Sequence, residues 1–353
     1  MYKYAGKYIE LLLQLLAIPA LSRKEEIRAD FLENWLKKEG FTLKRTGNNL
    51  VVTGGNNPAL STILLNSHMD TVAPGAGWKS DPFVPLSEEG RITGLGCNDA
   101  GASVISMVAA YRNLVERNMA DRVVMVISAE EEVSGKNGLS SVIPELPGLK
   151  FAVVGEPTSL QPAIAERGLM VVDAVAKGTA GHAARDEGEN AIYKAMTDIS
   201  VIREIVFNRP SEWLPDPSVN VTVIHAGTGH NVVPARCEFI IDVRSNDHYS
   251  NKMLLDLLKN RCSSELTPRS LRLNSSFLNK NHPLFELFGK MNLIPFGSPT
   301  LSDMALLDIP AVKIGPGDSS RSHSANEYIY ISEIEQAVDL YTNLLEEILK
   351  LSL

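Results

Sequence analysis

Residues 62–70 read Thr62-Ile63-Leu64-Leu65-Asn66-Ser67-His68-Met69-Asp70, a short apolar run that leads directly into polar side chains. Apolar runs of this length, without alternation, are typical of strands buried on both faces of a sheet. Three similar runs occur in the first 155 residues, at 50–53, 123–128 and 151–154. Because helical patterns separate some of them, as at 101–117, we predict an α/β sheet covered by helices on both faces.

Two helices are predicted before the first strand, over 4–18 and 23–39, with Pro19 as the break between them. Ser22 and Glu25 have the spacing of a capping box, in which each side chain accepts a backbone N–H at the start of a helix. Gly40 follows as a stop signal. The spacing therefore predicts that the second helix begins directly after Ser22.

A different pattern occupies the middle of the chain, after about residue 166. Its order is strand, helix, strand, strand, helix, over 169–175, 190–203, 219–225, 238–243 and 250–260. This order is typical of a small α+β module of the ferredoxin-like kind. From about residue 280 the α/β pattern returns, and it ends in an amphipathic helix over 332–351. We therefore predict an α/β domain formed by 1–166 and 281–353, with an inserted α+β domain formed by 167–280.

The composition excludes several classes of protein. Among 353 residues, 34 are basic and 42 acidic, which gives a net charge of −8 and argues against a nucleic-acid or anionic membrane partner. No apolar stretch approaches the roughly 20 residues of a membrane span. The three cysteines, Cys97, Cys237 and Cys262, form no CxxC pair, so neither a disulfide framework nor a thiolate metal site is expected. A reducing, cytoplasmic compartment is the simplest interpretation.

Polar side chains follow each predicted strand at the point where it ends. Strand alternation places His68 and Asp70 on one face, where Asp70 can fix the ring orientation of a metal-bound histidine; the alternative is a surface turn. Three glutamates, at 130–132, follow the run at 123–127, and Glu156 follows the run at 151–154. On a solvent-exposed helix the three glutamates would form a charged surface without a specific function. Ligands, however, bind at the carboxyl ends of strands in α/β sheets, which is where these glutamates are predicted to lie.

Two further candidates lie in glycine-rich segments. The segment 94–101, Gly94-Leu95-Gly96-Cys97-Asn98-Asp99-Ala100-Gly101, is not a dinucleotide-binding loop, because Asp99 replaces the third glycine and its carboxylate would repel a pyrophosphate. Asp99 precedes a predicted helix, so a role as its N-cap is the alternative. His323 lies in the turn-rich segment 315–327 after a predicted strand, where the alternative is a solvated loop histidine.

Together these side chains have the composition of a metal centre. Nitrogen and oxygen ligands without thiolates suit Zn²⁺ or a similar first-row ion. There are more candidate ligands than a single catalytic zinc ion requires. We therefore predict two divalent ions that share a carboxylate and activate a water for hydrolysis. The candidate ligands are His68, Asp99, Glu131 or Glu132, Glu156 and His323.

These motifs, in this order, resemble the acetylornithine deacetylase / succinyl-diaminopimelate desuccinylase family of di-metal amidohydrolases, relatives of aminoacylase and carboxypeptidase G. The resemblance covers essentially the whole chain. It implies that His68, Asp99 and Glu156 bind one ion, and that Asp99, Glu132 and His323 bind the other. The implied cofactors are two Zn²⁺ ions, for which Co²⁺ can substitute.

The same resemblance implies roles for the residues around the ions. The family's Asp-Glu-Glu motif aligns with Glu130-Glu131-Glu132, which makes Glu131 the general base, with Asp70 as a further catalytic residue. Because position 130 is also a glutamate, an alignment shifted by one residue, with Glu130 as the base, stays open. The family often has Met-Lys-Gly after the bridging aspartate, whereas this chain has Ala100-Gly101-Ala102, a departure that spares every ligand.

In the inserted domain the resemblance implies a lid and a dimerisation surface. The segment 178–184, Gly178-Thr179-Ala180-Gly181-His182-Ala183-Ala184, looks like the motif whose histidine reaches the active site of the partner in a homodimer and polarises the scissile carbonyl. Without the resemblance, His182 would be interpreted as a loop histidine. Asn231 and Arg244 are similar to residues that bind the substrate, and a guanidinium suits an α-carboxylate. The alternative for Arg244 is a surface ion pair.

The resemblance therefore implies hydrolysis of the amide bond of a small-molecule N-acyl amino acid. The first candidate is N-acetylornithine, an intermediate of arginine biosynthesis. The alternatives are N-succinylornithine, N-acetylcitrulline, N-acetyl-lysine, succinyl-diaminopimelate, or a peptide cleaved by an aminoacylase or dipeptidase on the same scaffold. A non-catalytic binding relative is a further alternative, against which the complete set of ligands and the base argue.

Overall fold

The computed structural model describes residues 5–54, 62–185 and 187–351. Within these residues the helices, α1 to α8 in chain order, are Ala5–Leu16, Glu26–Lys38, Ala102–Glu116, Leu139–Val142, Ala191–Arg203, Asn251–Arg261, Leu284–Lys290 and Ile331–Lys350. The strands, β1 to β18, are Thr42–Thr46, Asn49–Thr53, Ile63–His68, Leu86–Glu88, Arg91–Thr93, Val123–Ser128, Phe151–Val154, Ala163–Glu166, Met170–Lys177, Gly181–His182, Ser218–Ala226, Val232–Val233, Arg236–Arg244, Glu265–Pro268, Ser276–Phe277, Phe296–Ser298, Ala311–Lys313 and Tyr328–Tyr330.

The chain divides into two compact units. The first unit comprises Met1–Ile164, Leu278–Phe296 and Ser302–Leu353, and the second comprises Ala165–Phe277 and Gly297–Leu301. Among the described residues, none of the helices is long and apolar enough to cross a membrane.

The sheet of the first unit brings several strand ends to one edge. Its strands follow the order β1-β2-β6-β3-β7-β17-β8. β3 runs parallel to β6 and β7, and β17 runs parallel to β7. The carboxyl ends of these four strands therefore lie at the same edge of the sheet. The four predicted apolar runs correspond to β2, β3, β6 and β7, so the predicted α/β class is confirmed.

Helices cover this sheet because its strands are apolar on both faces. All side chains of β3, β6 and β7 are buried. One set of them, which includes Leu64 and Val126, packs against Leu139 and Val142 of α4, while α3 packs against β3 and β6. The closing helix α8 packs against α3 along an apolar stripe that recurs every three or four residues. This burial fixes the strand ends from which the polar residues project.

The start of α2 differs from the sequence prediction. The helix begins at Glu26, preceded by Arg23 with a φ of 72°, so the chain does not turn helical directly after Ser22. The Glu25 carboxylate accepts the backbone N–H groups of Arg23 and Glu130, and the Ser22 hydroxyl donates to Asp70. The predicted capping box is therefore wrong, because both of its side chains bind elsewhere.

The second unit is an α+β module with its own core. Its four-stranded antiparallel sheet has the order β11-β13-β9-β14. With α5 after β9 and α6 after β13, the connectivity is the split βαβ of ferredoxin-like folds. The inward side chains of β9 and β13 alternate with exposed ones and pack against α5 and α6. The fourth strand, β14, was not predicted from the sequence.

Candidate metal centre

A cluster of carboxylates and imidazoles lies at the edge where the parallel strands of the first unit end. His68 is the last residue of β3, and Glu156 follows β7 by two residues. Glu131 and Glu132 lie in a single 3₁₀ turn directly after β6. Asp99 comes from the turn that precedes α3, and its peptide bond to Ala100 is cis.

Two groups of ligand atoms, which share His68, are each close enough to hold a metal ion. One ligand atom from each of His68, Glu131 and Glu156 lies within 4.8 Å of the others, and the same is true of His68, Asp99 and Glu132. The structure therefore brings together five of the residues that were predicted from separate motifs.

Asp99 lies between two imidazoles. Its Oδ1 is 3.1 Å from Nε2 of His68, and its Oδ2 is 3.7 Å from Nε2 of His323. The same His68 nitrogen is 3.7 Å from Oε1 of Glu156, and the same His323 nitrogen is 2.9 Å from Oε2 of Glu132. Each oxygen of Asp99 thus faces a different histidine, and each of these histidines contacts a different glutamate, which is the arrangement a shared ligand requires.

The electrostatics of the cluster favour bound cations. Burial, with repulsion from Asp99 and Glu132, raises the pKa of Glu156 to about 8, and burial likewise raises the pKa of Glu131 well above its usual value. The hydrogen bond with Glu132 outweighs burial and raises the pKa of His323 to about 9. These protons are what divalent ions displace when carboxylate and imidazole ligands bind them. The donor set therefore fits a pair of divalent cations.

The orientation of the His68 ring is fixed by a backbone carbonyl group. Its Nδ1 lies 3.0 Å from the backbone carbonyl oxygen of Asp70, and an N–H donated to that oxygen leaves Nε2 free to bind an ion. Burial lowers the pKa of His68, but hydrogen bonds with Asp70 and Asp99 outweigh it and raise that pKa well above its usual value.

The side chain of Asp70 fixes the turn that carries two glutamates. Its carboxylate accepts the backbone N–H groups of Glu131 at 3.1 Å and Glu132 at 3.2 Å, and the Ser22 hydroxyl at 2.7 Å. Burial raises the pKa of Asp70, but its hydrogen bonds, led by the one with His68, outweigh burial and hold that pKa below its usual value. Asp70 therefore stays charged and links the end of β3 to the turn after β6.

Glu130 takes a different direction from its two neighbours. Its backbone is left-handed, with a φ of 55°. Its carboxylate accepts the backbone N–H of Asn137 at 3.3 Å and the side-chain amide of the same residue at 2.9 Å. The side chain is thus engaged by Asn137, whereas Glu131 lies beside His68 and Glu156.

The remaining predicted site residues lie in the second unit. His182 is the second residue of the two-residue strand β10, which pairs with β12. Asn231 is the residue directly before β12. The exposed His182 ring accepts the backbone N–H of Ala184. Arg244 ends β13, and its guanidinium donates to both oxygens of Asp242, at 2.8 and 3.0 Å. The structure thus places His182 near Asn231, and it pairs Arg244 with a carboxylate of its own strand.

Two buried acids near the cluster were missed by the sequence analysis. Asp303 accepts the Ser128 hydroxyl at 2.7 Å, and burial raises its pKa to about 6. Glu327 accepts backbone N–H groups of the Asp99 turn. The only sequence signal for Glu327 was its position four residues after His323. The only sequence signal for Asp303 was its position directly before the apolar run at 304–307.

Comparisons with known proteins agree with this geometry. The profile of peptidase family M20/M25/M40 matches residues 64–347. The chain is 27% identical to an acetylornithine deacetylase of Proteus mirabilis over 373 residues, which cover 96% of each chain. It is 26% identical to a succinyl-diaminopimelate desuccinylase of Xylella fastidiosa over 380 residues, which cover 98% of this chain and 99% of the other.

Solved structures show the same fold. Aminopeptidase PepT of Bacillus cereus superimposes with a TM-score of 0.79 at 20% identity, over 98% of this chain and 99% of that one. The YXEP protein of Bacillus subtilis, a dinuclear metal-binding peptidase, gives a TM-score of 0.74 at 16% identity, over 98% of each chain. The predicted resemblance and enzyme class are confirmed: the chain belongs to peptidase family M20/M25/M40, a family of metal-dependent amide hydrolases.

Proposed function

We propose that the protein deacylates a small N-acyl amino acid, with N-acetylornithine as the preferred substrate. The observation that carries the proposal is the placement of Asp99 between His68 and His323, with Glu131 in the same partly buried cluster. The curated relatives, an acetylornithine deacetylase and a succinyl-diaminopimelate desuccinylase, support an amide of an amino acid as the substrate class.

We propose two divalent ions, with Zn²⁺ as the native metal and Co²⁺ as a substitute. His68, Asp99 and Glu156 would hold one ion, and Asp99, Glu132 and His323 the other. When bound, such a pair lowers the pKa of a water molecule and stabilises negative charge on a carbonyl oxygen. The distances from Asp99 to His68 and His323, with those from His68 to Glu156 and from His323 to Glu132, support this assignment.

Glu131 is the proposed general base. Its carboxylate accepts the proton of the attacking water and returns it to the amine that leaves. Two observations support Glu131 over Glu130: Glu131 lies beside His68 and Glu156, and the carboxylate of Glu130 is held by Asn137. Asp70 contributes by holding the backbone of Glu131 and the ring of His68 in place.

The second unit supplies the proposed substrate contacts and the lid. His182 donates a hydrogen bond to the scissile carbonyl oxygen, where negative charge develops. Asn231 and Arg244 bind the α-carboxylate of the amino acid. The proximity of Asn231 to β10 supports a shared role with His182. Because Nε and Nη2 of Arg244 already donate to Asp242, a substrate carboxylate would be bound through Nη1.

Substrate choice is tested by amine release from a panel of N-acetyl and N-succinyl amino acids, with Zn²⁺ or Co²⁺ and with a chelator. We expect the highest kcat/KM for N-acetylornithine, and the chelator should abolish turnover because the attacking water would be activated by the ions. Turnover of dipeptides alone would favour the peptidase alternative. Turnover that survives complete removal of metal would contradict the proposed chemistry.

A homodimer formed by the second unit is part of the proposal. β11 is an edge strand with mostly exposed side chains, and α5 packs beside it. On α5, Tyr193 is 68% exposed and Met196, one turn later, is 55% exposed. Large apolar side chains beside an unpaired strand are typical of a surface that another chain covers.

The dimer surface is tested by the double substitution Tyr193→Glu with Met196→Glu. Two buried charges would be unpaired in the interface, so we expect a monomer in light scattering after size exclusion. Met253→Glu is the matched control, because Met253 is 41% exposed on α6, which packs beside β14 at the opposite edge of the sheet. A double variant that remains dimeric would contradict this surface.

A cytoplasmic location and a role in arginine biosynthesis complete the proposal. The cysteine content supports the location, because Cys97, Cys237 and Cys262 are free thiols, a form that a reducing compartment maintains. The role in arginine biosynthesis follows from the proposed substrate, N-acetylornithine, and is tested by the same substrate panel.

A further inference from the structure

A buried carboxylate lies directly behind the turn that carries Asp99. Glu327 is only 2% exposed. Its Oε1 accepts the backbone N–H groups of Asn98 at 2.8 Å and Asp99 at 2.9 Å, and its Oε2 accepts the backbone N–H of Gly96 at 2.9 Å. One side chain therefore binds three amide groups of a single turn.

The Asp99 turn depends on such a partner because its own backbone is irregular. Asp99 has a φ of −124° and a ψ of 95°, so the regular hydrogen bonds of α3 begin only after it. Amide groups in an irregular, buried segment need acceptors from elsewhere in the chain. Glu327 supplies them, and its own backbone carbonyl accepts the N–H of Gly94 at 3.1 Å.

The same contacts join the two segments that carry Asp99 and His323. Glu327 follows His323 by four residues. Beside it, the Asn98 side chain donates to the carbonyl oxygen of Asp318 at 3.1 Å and to the Ser322 hydroxyl at 3.2 Å. The two segments, more than 200 residues apart in sequence, are thus fixed to each other by buried polar side chains.

We propose that Glu327 is a positioning residue of the metal centre, whose carboxylate fixes the Asp99 turn so that the Asp99 side chain lies between His68 and His323. This inference rests on the proposed function, because it presupposes that Asp99 binds both ions. Since a shared ligand contributes to both ion sites, movement of its backbone weakens both.

The test is the effect of Glu327→Gln on Co²⁺ binding, measured by chelator competition and by the visible absorption of the Co²⁺-loaded protein. Glutamine keeps the size of the side chain but turns an NH₂ group toward a backbone N–H that needs an acceptor. We expect Co²⁺ affinity to fall by about 10- to 100-fold, as for other residues that orient metal ligands. The absorption should change as well, because the geometry of the shared ligand changes.

Asp198→Asn is the matched control. Asp198 is a buried carboxylate of the second unit that accepts the backbone N–H groups of Ser263 at 3.0 Å and Ser264 at 2.8 Å. This variant loses the same kind of interaction, so its Tm should fall, while its Co²⁺ affinity should equal that of wild type. Glu327→Asp is a second test variant. Aspartate keeps the carboxyl group but is one methylene shorter, so its oxygens lie farther from the amide groups of the Asp99 turn, and Co²⁺ affinity should also fall.

The outcomes separate this inference from the proposed function. A folded Glu327→Gln with wild-type Co²⁺ affinity would overturn the inference alone, because Glu327 would then have only a structural role. If Glu327→Gln does not fold, wild-type Co²⁺ affinity in Glu327→Asp would overturn it equally. Wild-type protein that binds no Co²⁺ would overturn the proposed metal centre, and the inference with it.

Discussion

Glu131→Gln is expected to lower kcat by about 10²–10⁴-fold, the usual contribution of a general base, while the protein keeps its metal ions. The amide has the shape of the carboxylate but cannot accept a proton from water at neutral pH. The backbone of the turn should not move, because Asp70 holds it through the N–H groups of Glu131 and Glu132 rather than through their side chains. The measurements are kcat for the preferred substrate and metal content by elemental analysis.

Glu130→Gln is the control for this prediction. The Glu130 side chain is held by Asn137 and is adjacent to Glu131 in sequence, so both variants replace one carboxyl group by an amide in the same segment. Glu130→Gln should keep most of the wild-type kcat. An active Glu131→Gln together with an inactive Glu130→Gln would mean that the general base is Glu130 and that the motif is aligned one residue too late.

The second large effect concerns His182. His182→Ala is expected to lower kcat by about 10²–10³-fold, as the loss of one hydrogen bond to a developing oxyanion does in other hydrolases. If His182 acts in the site of the partner subunit, the defect can be repaired by a partner that carries a normal His182. Co-expression of His182→Ala with Glu131→Gln provides that test, because each variant alone is inactive.

The mixed dimer has one complete site, formed by the normal Glu131 of one subunit and the normal His182 of the other. With random pairing, about half of the dimers are mixed, so activity should recover to about a quarter of wild type. A sample mixed after separate purification, without subunit exchange, is the control and should stay inactive. No recovery in co-expressed, verified mixed dimers would mean that His182 acts within its own subunit, and a fully active His182→Ala would mean that it has no catalytic role.

Much of the first unit was predictable because its strands are buried on both faces. β3, β6 and β7 appear in the sequence as apolar runs without alternation, and the polar residues that end them, such as His68 and Glu156, stand out by contrast. Strand β14 gave no such signal, since it is short, half-exposed and ends at Pro268. Local pattern therefore predicts an element only where burial has imposed a pattern.

Contacts between distant segments could not be predicted. Glu25 was expected to cap its own helix, but its carboxylate accepts the N–H of Glu130, 105 residues away. Glu327 binds the Asp99 turn from 228 residues away, and its position four residues after His323 does not indicate that partner. The choice between Glu130 and Glu131 was open for a related reason: the two residues are chemically identical, and the left-handed backbone at Glu130 that separates them is invisible in the sequence.

The bonds from Asp70 to the backbone of the 3₁₀ turn have an evolutionary consequence. Because the turn is held through main-chain amides, its conformation does not depend on which side chains occupy positions 131 and 132. If Glu131 is the general base, as proposed, a single base change in its codon can abolish catalysis and leave the fold and much of the cation site intact. Inactive descendants of such an enzyme, retained for binding alone, are one mutation away, and a descendant of this kind could regain activity by reverting one codon.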